Sequence, residues 1–444
     1  MNNPLLPSDA ELPFCTDLYQ LTMAAAYHAQ GLHRRRCVFE LFIRRLPQNR
    51  SYLVAAGLEQ ATAAVGHLRF RAEDTDYLRA LPAFHAVSKE FFSVLGQFSF
   101  AGDIHAVPEG TVVFANEPLL RVSGTLLEAQ IVETLAINSL HFQTAVASKA
   151  ARIVLAARDR PVIEFGTRRS PGPQGALLAA RAALIAGCTA TSNVAAARMF
   201  DYPPAGTMAH SWIMAHDDEQ AAFVDYANIF PDSTIALVDT YDVETGVRRA
   251  ARLGPRLSAI RLDSGDLLGQ SRLARRILDQ ADCGHVKILA SGDLNEFKID
   301  DLLAAGAPID AFGVGTEMTT VADAPSLAMV YKLVEVEDAA GRLRPCIKTS
   351  ADKQTTGRAK QVYRRERDGR FLGDLVAAAD GPPLEGTPLL VPVVRSGKPL
   401  AATRPVAHIA DYARQQISHL PESLRSLRGS APFPIEIHSS LKSE

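Results

Sequence analysis

Residues able to do chemistry recur in this sequence at the ends of short apolar segments between residues 162 and 316. His210 follows a run of small residues, and a histidine there can act as a general acid or base, a metal ligand or a nucleophile. It can equally be a structural histidine held by hydrogen bonds. Asp263 and Asp266 share one tight turn, where carboxylates can bind ribose hydroxyls or a Mg²⁺ ion that keeps most of its waters. As an alternative, Asp266 starts the following helix as an N-cap.

Other segment ends suit the binding of anions. Arg168 and Arg169 follow the apolar residues 162–165, and guanidinium groups make bidentate contacts with carboxylate or phosphate. We expect at least one of the two to form an ordinary surface ion pair instead. The glycine-containing segments 291–293 and 313–316 follow the last two apolar segments, where backbone amides of a barrel often bind phosphate, although simple turns use the same residues. Together, these residues suit a phosphorylated sugar that reacts with an anionic partner.

The elements that position these residues are predicted from the same repeat. Apolar segments this short suit strands buried on both faces of a parallel sheet. Between them lie helix-like segments that begin with acidic residues or end at glycine, for example at Gly187 and Gly306. Strand–helix repetition with polar strand ends is typical of an α/β barrel, whose active site lies at the carboxyl ends of its strands. A doubly wound open sheet is the alternative fold.

The residues on either side of the repeat predict further structure. Residues 1–125 mix strand-like segments with helix-like stretches at about 55–68 and 72–95, which predicts an α+β domain. A long helical segment opens residues 126–325, the predicted barrel with the active site. Residues 326–444 predict β-hairpins and a helix over 405–427. We expect these C-terminal strands to pack back on the N-terminal domain, because isolated hairpins are only marginally stable.

The composition argues against several classes of protein. The 444 residues are 47% hydrophobic and 22% charged, which suffices for a large core. A formal net charge of −2 gives no reason to expect nucleic acid or a membrane surface as a partner. The five cysteines are scattered without a CxxC pair, which fits a reducing compartment and argues against structural zinc. Since neither a signal peptide nor a membrane-spanning segment is evident, we expect a cytoplasmic protein.

Common nucleotide and hydrolase motifs are absent from the sequence. No GxxxxGK[ST] P-loop and no GxSxG motif occurs, and residues 313–315 lack the third glycine of a dinucleotide-binding fingerprint. A barrel aldolase would need a Schiff-base lysine. Lys287 is the only lysine inside a predicted barrel strand, and its neighbours do not suggest a carbonyl pocket, so this alternative has little support.

Seven motifs occur along this sequence: TDLYQLTM at 16–23, EFGTRR at 164–169, GTMAHS at 206–211, ALVDTYD at 236–242, IRLDSGD at 260–266, GVGTE at 313–317 and VYKLVE at 330–335. In their residues and their order, these motifs resemble those of the nicotinate phosphoribosyltransferase family. The resemblance extends over about residues 14–350 and becomes loose after about residue 365.

The resemblance implies a type II phosphoribosyltransferase with an irregular α/β barrel, assembled as a homodimer. The implied reaction joins nicotinate to 5-phosphoribosyl 1-pyrophosphate (PRPP) in the presence of Mg²⁺ and is coupled to hydrolysis of ATP to ADP and phosphate. Its products are nicotinate mononucleotide and pyrophosphate, which makes it the first step of NAD salvage from nicotinate. Two alternatives stay open: a nicotinamide or quinolinate phosphoribosyltransferase, and a phosphosugar-binding barrel without turnover.

The resemblance also implies roles for particular residues. His210 matches a histidine that ATP transiently phosphorylates, and Asp263 matches a catalytic residue that binds ribose or Mg²⁺, with Asp266 as a possible second metal ligand. Tyr19 is expected to stack on the pyridine ring from the partner subunit. Ser192 stands where the related nicotinamide-using enzyme carries an aspartate, and a serine can donate to a carboxylate that an aspartate would repel. Further expected substrate contacts are Thr167, Arg168, Asp239, Ser291, Gly292, Gly313, Gly315 and Thr316.

Overall fold

A computed structural model describes residue 8 and residues 10–348, 356–400 and 404–441. The chain forms two compact units: one is residues 146–325, and the other combines residues 1–145 with residues 326–444. The division into domains 1–125, 126–325 and 326–444 made from the sequence stays a prediction.

In chain order, the helices are α1 (Leu18–Ala29), α2 (Leu58–His67), α3 (Ala72–Ala80), α4 (Lys89–Gly96), α5 (Leu126–Ala157), α6 (Gly172–Ile185), α7 (Val194–Phe200), α8 (His210–Met214), α9 (Glu219–Ile229), α10 (Val243–Ala251), α11 (Leu267–Gln280), α12 (Glu296–Ala304), α13 (Thr316–Thr320) and α14 (Val406–Ser418). The strands are β1 (Arg36–Ile43), β2 (Leu53–Val54), β3 (Asp103–Ala106), β4 (Val112–Val113), β5 (Pro118–Thr125), β6 (Val162–Glu164), β7 (Ala190–Thr191), β8 (Thr234–Leu237), β9 (Leu257–Leu262), β10 (Lys287–Ala290), β11 (Ala311–Val314), β12 (Met329–Glu337), β13 (Leu343–Pro345), β14 (Lys360–Arg367), β15 (Arg370–Ala378), β16 (Thr387–Pro388), β17 (Val391–Arg395), β18 (Lys398–Pro399) and β19 (Ile435–Ile437).

The unit of residues 146–325 contains one parallel sheet with the strand order β7-β6-β11-β10-β9-β8. This order follows the chain around a ring, because the first strand of the unit, β6, pairs with the last, β11. A doubly wound sheet would instead place its early strands in the middle and extend outward on both sides. The sheet is therefore a curled barrel, and among the described residues its two edges are β7 and β8. The predicted irregular α/β barrel is confirmed.

Short polar residues end the strands and begin the helices of this unit. Five helices start at an Asn or Asp whose side chain accepts a hydrogen bond from a backbone amide in the first turn, which stabilises a helix start. These caps are Asn193, Asp218, Asp242, Asp266 and Asn295. The polar strand ends seen in the sequence thus include both capping residues and residues of the site.

The other unit contains an antiparallel sheet of order β13-β12-β1-β5-β3-β17-β18. Here β12 pairs with β1 over its length and β17 pairs with β3, so C-terminal strands complete the N-terminal sheet as predicted. A second sheet has the order β16-β14-β15-β19. Helices α1 to α4 and the start of α5 bury a hydrophobic core that includes Phe84, Phe91 and Leu127.

Two predicted helical stretches are shorter in the structure than the sequence indicated. The stretch 72–95 divides into α3 and α4, separated by a 3₁₀ turn that begins at Pro82. The predicted helix over 405–427 ends at Ser418, and Pro421 lies just beyond it. Proline lacks the amide donor that continues a helix and disfavours a helical residue before it, which explains both breaks. No helix among the described residues is long and apolar enough to cross a membrane.

Candidate active site

The carboxyl ends of β8, β9 and β10 bring the predicted acidic and histidine residues together. Oδ2 of Asp239 accepts hydrogen bonds from the backbone amide of Asp263 at 2.8 Å and from the hydroxyl of Ser264 at 3.0 Å. The hydroxyl of Ser291 donates to Oδ1 of Asp263 at 2.5 Å. Three neighbouring strand ends are thus joined through side-chain oxygens, as parallel strands of a barrel allow.

His210 lies beside this acidic group as the first residue of α8. Its Nδ1 is 3.1 Å from the hydroxyl oxygen of Thr240, and its Nε2 is 3.8 Å from Oδ2 of Asp263. The side chain is 39% exposed, so a ligand in solution can reach the ring. The structure therefore brings His210 and Asp263 together, as the sequence predicted, and the hydrogen bond between Nδ1 and Thr240 orients the imidazole.

Arg261 is the residue at the centre of this network, and the sequence analysis gave it no role. Its Nε donates to the hydroxyl of Ser291 at 2.7 Å, and its two terminal nitrogens donate to Thr207 Oγ1 at 2.9 Å and to Asp263 Oδ1 at 2.5 Å. Its Cζ also lies 5.6 Å from the ring centroid of Phe165. The sequence did indicate that Arg261 could belong to the site, because residues two apart on a strand share a face and Arg261 lies two positions before Asp263.

The electrostatics of the network keep Asp263 ionised. Burial of the Asp263 carboxyl acts to raise its pKa, but the hydrogen bond from Ser291 and the positive charge of Arg261 outweigh that effect. The resulting pKa lies below the ordinary value of 3.8. At neutral pH the site therefore offers a carboxylate next to His210, with its negative charge balanced by Arg261.

The glycine-containing segments approach neighbouring backbone too closely for a side chain. Gly292 has a φ of +91°, and a Cβ there would overlap the backbone carbonyl of Asp263. A Cβ on Gly313 would overlap the ring of Phe165. These contacts hold the ends of β10 and β11 against their neighbours. Ser291 is 2% exposed and its hydroxyl is already engaged with Asp263.

The arginines predicted to bind anions lie on an exposed 3₁₀ turn, Thr167–Arg169, directly after β6. Neither Arg168 nor Arg169 forms an ion pair with any residue that the structure describes, which differs from the expectation of a surface pair. The buried carboxylate of Glu164 accepts a hydrogen bond from the Gly166 amide at the start of this turn. Both guanidinium groups are therefore presented to solvent from a fixed turn.

Ser192 follows β7 and is tied to the same strand end. Its backbone amide donates to the Glu164 carbonyl at 2.9 Å, and the neighbouring Thr191 hydroxyl donates to the Glu164 carboxylate at 2.5 Å. Burial raises the pKa of Glu164, although the hydrogen bonds that its carboxylate accepts from the Thr191 hydroxyl and the Gly166 amide act in the opposite direction. Glu164 thus links the Ser192 segment to the turn that carries Arg168.

Gly315 and Thr316 lie where β11 passes into α13. Gly315 precedes the helix, and Thr316 is its first residue. Both are partly exposed, and a Cβ on Gly315 would lie 2.8 Å from the carbonyl oxygen of Phe165. The end of β11 is therefore packed against the residue after β6.

Two carboxylate oxygens of the site are available to a cation. Oδ1 of Asp239 is buried and has no hydrogen-bond partner among the described residues. Oδ2 of Asp263 faces His210 at 3.8 Å, whereas Asp266 is exposed and caps α11 through the Gly269 amide at 3.1 Å. No group of three or more potential metal ligands occurs in the described part of the chain. This donor set fits Mg²⁺, which binds one or two carboxylates and fills its other positions with water and substrate phosphate.

Tyr19 belongs to the other compact unit. It is the second residue of α1, its side chain is exposed, and its hydroxyl donates to Oε1 of Glu133 at 3.1 Å. Partial burial and the negative charge of Glu133 raise the pKa of Tyr19 to about 12. The ring is therefore neutral at physiological pH, with its orientation held by one hydrogen bond.

The parallel barrel with acidic and basic residues at its strand ends, together with the mixed unit, defines the class of type II phosphoribosyltransferases. The sequence profile of the nicotinate phosphoribosyltransferase N-terminal domain matches residues 14–141, and that of the nicotinate phosphoribosyltransferase family matches residues 161–374. The chain belongs to the nicotinate phosphoribosyltransferase family.

Individual relatives agree with this assignment. A nicotinate phosphoribosyltransferase of Mycobacterium tuberculosis is 44% identical over 437 residues, which cover 97% of this chain and 92% of the relative. The Bacillus subtilis nicotinate phosphoribosyltransferase is 42% identical over 383 residues, covering 84% and 77%. The crystal structure of human nicotinic acid phosphoribosyltransferase is similar with a TM-score of 0.83 and 27% identity, covering 96% of this chain and 98% of that one. A nicotinate-nucleotide pyrophosphorylase structure from Pyrococcus furiosus gives a TM-score of 0.77 at 26% identity, covering 93% and 97%.

Proposed function

We propose that this protein joins nicotinate to PRPP and releases pyrophosphate, with coupled hydrolysis of ATP, in the first step of NAD salvage from nicotinate. The observation that carries the proposal is the joining of His210, Arg261 and Asp263 at the strand ends of the barrel. The names of the relatives, which cover most of this chain, support nicotinate as the pyridine. The five cysteines are free thiols, which agrees with a cytoplasmic location.

The acidic residues suit the chemistry at C1 of the ribose. As the bond from C1 to pyrophosphate breaks, positive charge develops at C1 and negative charge collects on the leaving group. The ionised Asp263 would hold the ribose hydroxyls, and Oδ1 of Asp239 with Oδ2 of Asp263 would bind Mg²⁺. When bound, the metal would stabilise the departing pyrophosphate. Asp266 caps α11 through Oδ1, and its other carboxylate oxygen stays proposed as a second metal ligand.

His210 suits the acceptance of a phosphoryl group from ATP. In the neutral tautomer that carries its proton on Nδ1, this nitrogen donates a hydrogen bond to the hydroxyl of Thr240. The other ring nitrogen, Nε2, then keeps a free electron pair. Attack of Nε2 on the γ-phosphorus of ATP would form an N–P bond and release ADP, and later transfer to water would release phosphate. Asp263, 3.8 Å from Nε2, would stabilise the ring when it is positively charged.

The remaining predicted residues are assigned to the substrate anions. Thr167 and Arg168, on the exposed turn after β6, would contact an anionic group of the substrates, and Ser192 would donate to the nicotinate carboxylate. The backbone at Gly292, Gly313 and Gly315, with Thr316, would bind the 5-phosphate of PRPP. The hydroxyl of Ser291 donates to Asp263 and its backbone amide donates to the Leu262 carbonyl at 2.8 Å, so Ser291 would act on the substrates through Asp263.

We also propose a homodimer, because the resemblance assigns Tyr19 to the pyridine site of the partner subunit. Its exposed, neutral aromatic ring suits stacking on a flat heterocycle. Equilibrium sedimentation measures the assembly directly. A monomer that is fully active at its assay concentration would contradict this part of the proposal.

The experiment that tests the activity is a side-by-side assay of three pyridines. The purified protein is mixed with PRPP, Mg²⁺ and ATP, and with nicotinate, nicotinamide or quinolinate, and mononucleotide formation is measured by chromatography. We expect product from nicotinate at a catalytic efficiency at least about tenfold above the other two, a difference that a few polar contacts supply. Preference for nicotinamide or quinolinate would refute the substrate assignment, and absence of any product would favour a binding protein.

A further inference from the structure

A buried lysine joins the beginnings of the two helices that follow the proposed phosphate-binding segments. Lys149, on α5, is 1% exposed, and its Nζ is 2.7 Å from Glu296 Oε2, 3.0 Å from Asp323 Oδ1 and 3.6 Å from Glu317 Oε2. Arg152, one turn further along α5, donates from Nε to the other oxygen of Glu296 at 3.0 Å. All five residues belong to the unit of residues 146–325.

The positions of the acidic partners explain what this lysine can do. Glu296 is the first residue of α12, directly after the cap Asn295 and close behind the segment 291–293. Glu317 is the second residue of α13, which follows the segment 313–316, and Asp323 lies just beyond that helix. The Lys149 ammonium group therefore contacts an acidic residue that follows the segment 291–293 and acidic residues that follow the segment 313–316. Its position affects the distance between these two segments.

Stability alone does not account for a lysine at this place. Burying an ammonium group is costly, and well-packed apolar residues often replace a buried ion pair without loss of stability. An ion-pair network differs from apolar packing because its distances and directions are specific. Without the lysine, Glu296, Glu317 and Asp323 would repel one another, which would move the starts of α12 and α13 apart.

We propose that Lys149 is a positioning residue that sets the spacing of the segments 291–293 and 313–316 for the 5-phosphate of PRPP. This inference rests on the proposed function, which supplies the ligand. It predicts that weakening the network reduces affinity for PRPP, whereas affinity for nicotinate and the rate at saturation change little. If Lys149 were needed only for stability, its substitution would lower the melting temperature without a selective loss of PRPP affinity.

The test uses variants that do not leave an acidic residue buried without a partner. Asp323→Asn and Glu317→Gln each remove one acidic partner and keep the buried pair of Lys149 with Glu296. A triple variant, Lys149→Met with both of these changes, removes the bridge and leaves Glu296 paired with Arg152. Asp279→Asn is the matched control, because it breaks an ion pair with Arg275 near the end of α11, away from both segments.

The dissociation constant of PRPP is measured by calorimetry without nicotinate, and kcat and both KM values by mononucleotide formation. We expect PRPP binding to weaken about fivefold in the single variants and more than about tenfold in the triple variant, with kcat and KM for nicotinate within about twofold and the control unchanged. Unchanged PRPP affinity in the triple variant would overturn the inference. It would also be overturned if the PRPP affinity, kcat and both KM values all worsened together, in proportion to the fall in melting temperature. A wild-type protein that binds PRPP but forms no nucleotide would instead refute the proposed function.

Discussion

Arg261 offers the sharpest test of how the site works, because one guanidinium group holds three side chains in place. We expect Arg261→Met to lower kcat/KM while the protein remains folded. A hydrogen bond to a carboxylate is worth roughly 1.5–3 kcal/mol, and each bond to a hydroxyl about 1 kcal/mol. These bonds are partly exposed and not additive, so we take about 3 kcal/mol of lost transition-state stabilisation, which corresponds to roughly a hundredfold in kcat/KM.

The pH dependence of the same variant gives a second readout. In the wild-type protein, Arg261 and Ser291 hold the pKa of Asp263 below 3.8 against the effect of burial. Removing the guanidinium group leaves burial in place, so the pKa of Asp263 must rise. Activity that requires the Asp263 carboxylate should then be lost at higher pH as the solution is acidified. The acidic limb of a plot of kcat/KM against pH should therefore move to higher pH.

The control is Arg248→Met, which breaks an exposed ion pair with Glu244 one helical turn away on α10. Such pairs contribute little, so this variant should keep its activity within about twofold and its pH profile unchanged. The explanation for Arg261 would be wrong if Arg261→Met retained the wild-type acidic limb, or if its kcat/KM fell no more than that of Arg248→Met.

Three further substitutions test individual residues. Ser192→Asp should lower kcat/KM for nicotinate more than about tenfold by repulsion of the carboxylate, and an unchanged ratio of efficiencies for nicotinate and nicotinamide would refute that assignment. His210→Ala should abolish stimulation by ATP and leave slow synthesis without ATP, and a labile phosphoryl group on that variant, detected with labelled ATP, would contradict the role of His210. Gly292→Ala should lower the free energy of unfolding by about 1–3 kcal/mol, because Gly292 has a positive φ and a Cβ there would overlap Asp263. Gly284→Ala is the control, because a Cβ at Gly284 meets open space and should leave the stability unchanged. Equal unfolding midpoints for the two variants would count against the close approach of Gly292 to Asp263.

Local sequence patterns predicted five of the six barrel strands, but not the two-residue strand β7 or the short helices α7, α8 and α13. The segment 162–165, for example, contains the strand β6, and the helix α12 ends before Gly306 as the sequence indicated. Such features depend on neighbouring residues alone. The break within 72–95 was also encoded locally, by Pro82, but the helical pattern on either side obscured it.

The relationships between elements could not be predicted in the same way. The pairing of β6 with β11 joins segments separated by most of the barrel sequence, and this pairing distinguishes the ring order from a doubly wound sheet. In the sequence, Arg261 is only a polar residue within an apolar strand. The structure shows that its guanidinium group donates to three side chains from different segments. Lys149 gave no signal either, because its partners lie far away in the sequence.

Release of pyrophosphate from PRPP tests the central claim most directly. The purified protein is incubated with nicotinate, PRPP and Mg²⁺, with and without ATP, and pyrophosphate and nicotinate mononucleotide are measured together. We predict equal amounts of both products, strict dependence on nicotinate, and faster formation with ATP. Pyrophosphate that appears without nicotinate, or no pyrophosphate under any of these conditions, would contradict the claim that this barrel transfers phosphoribose to nicotinate.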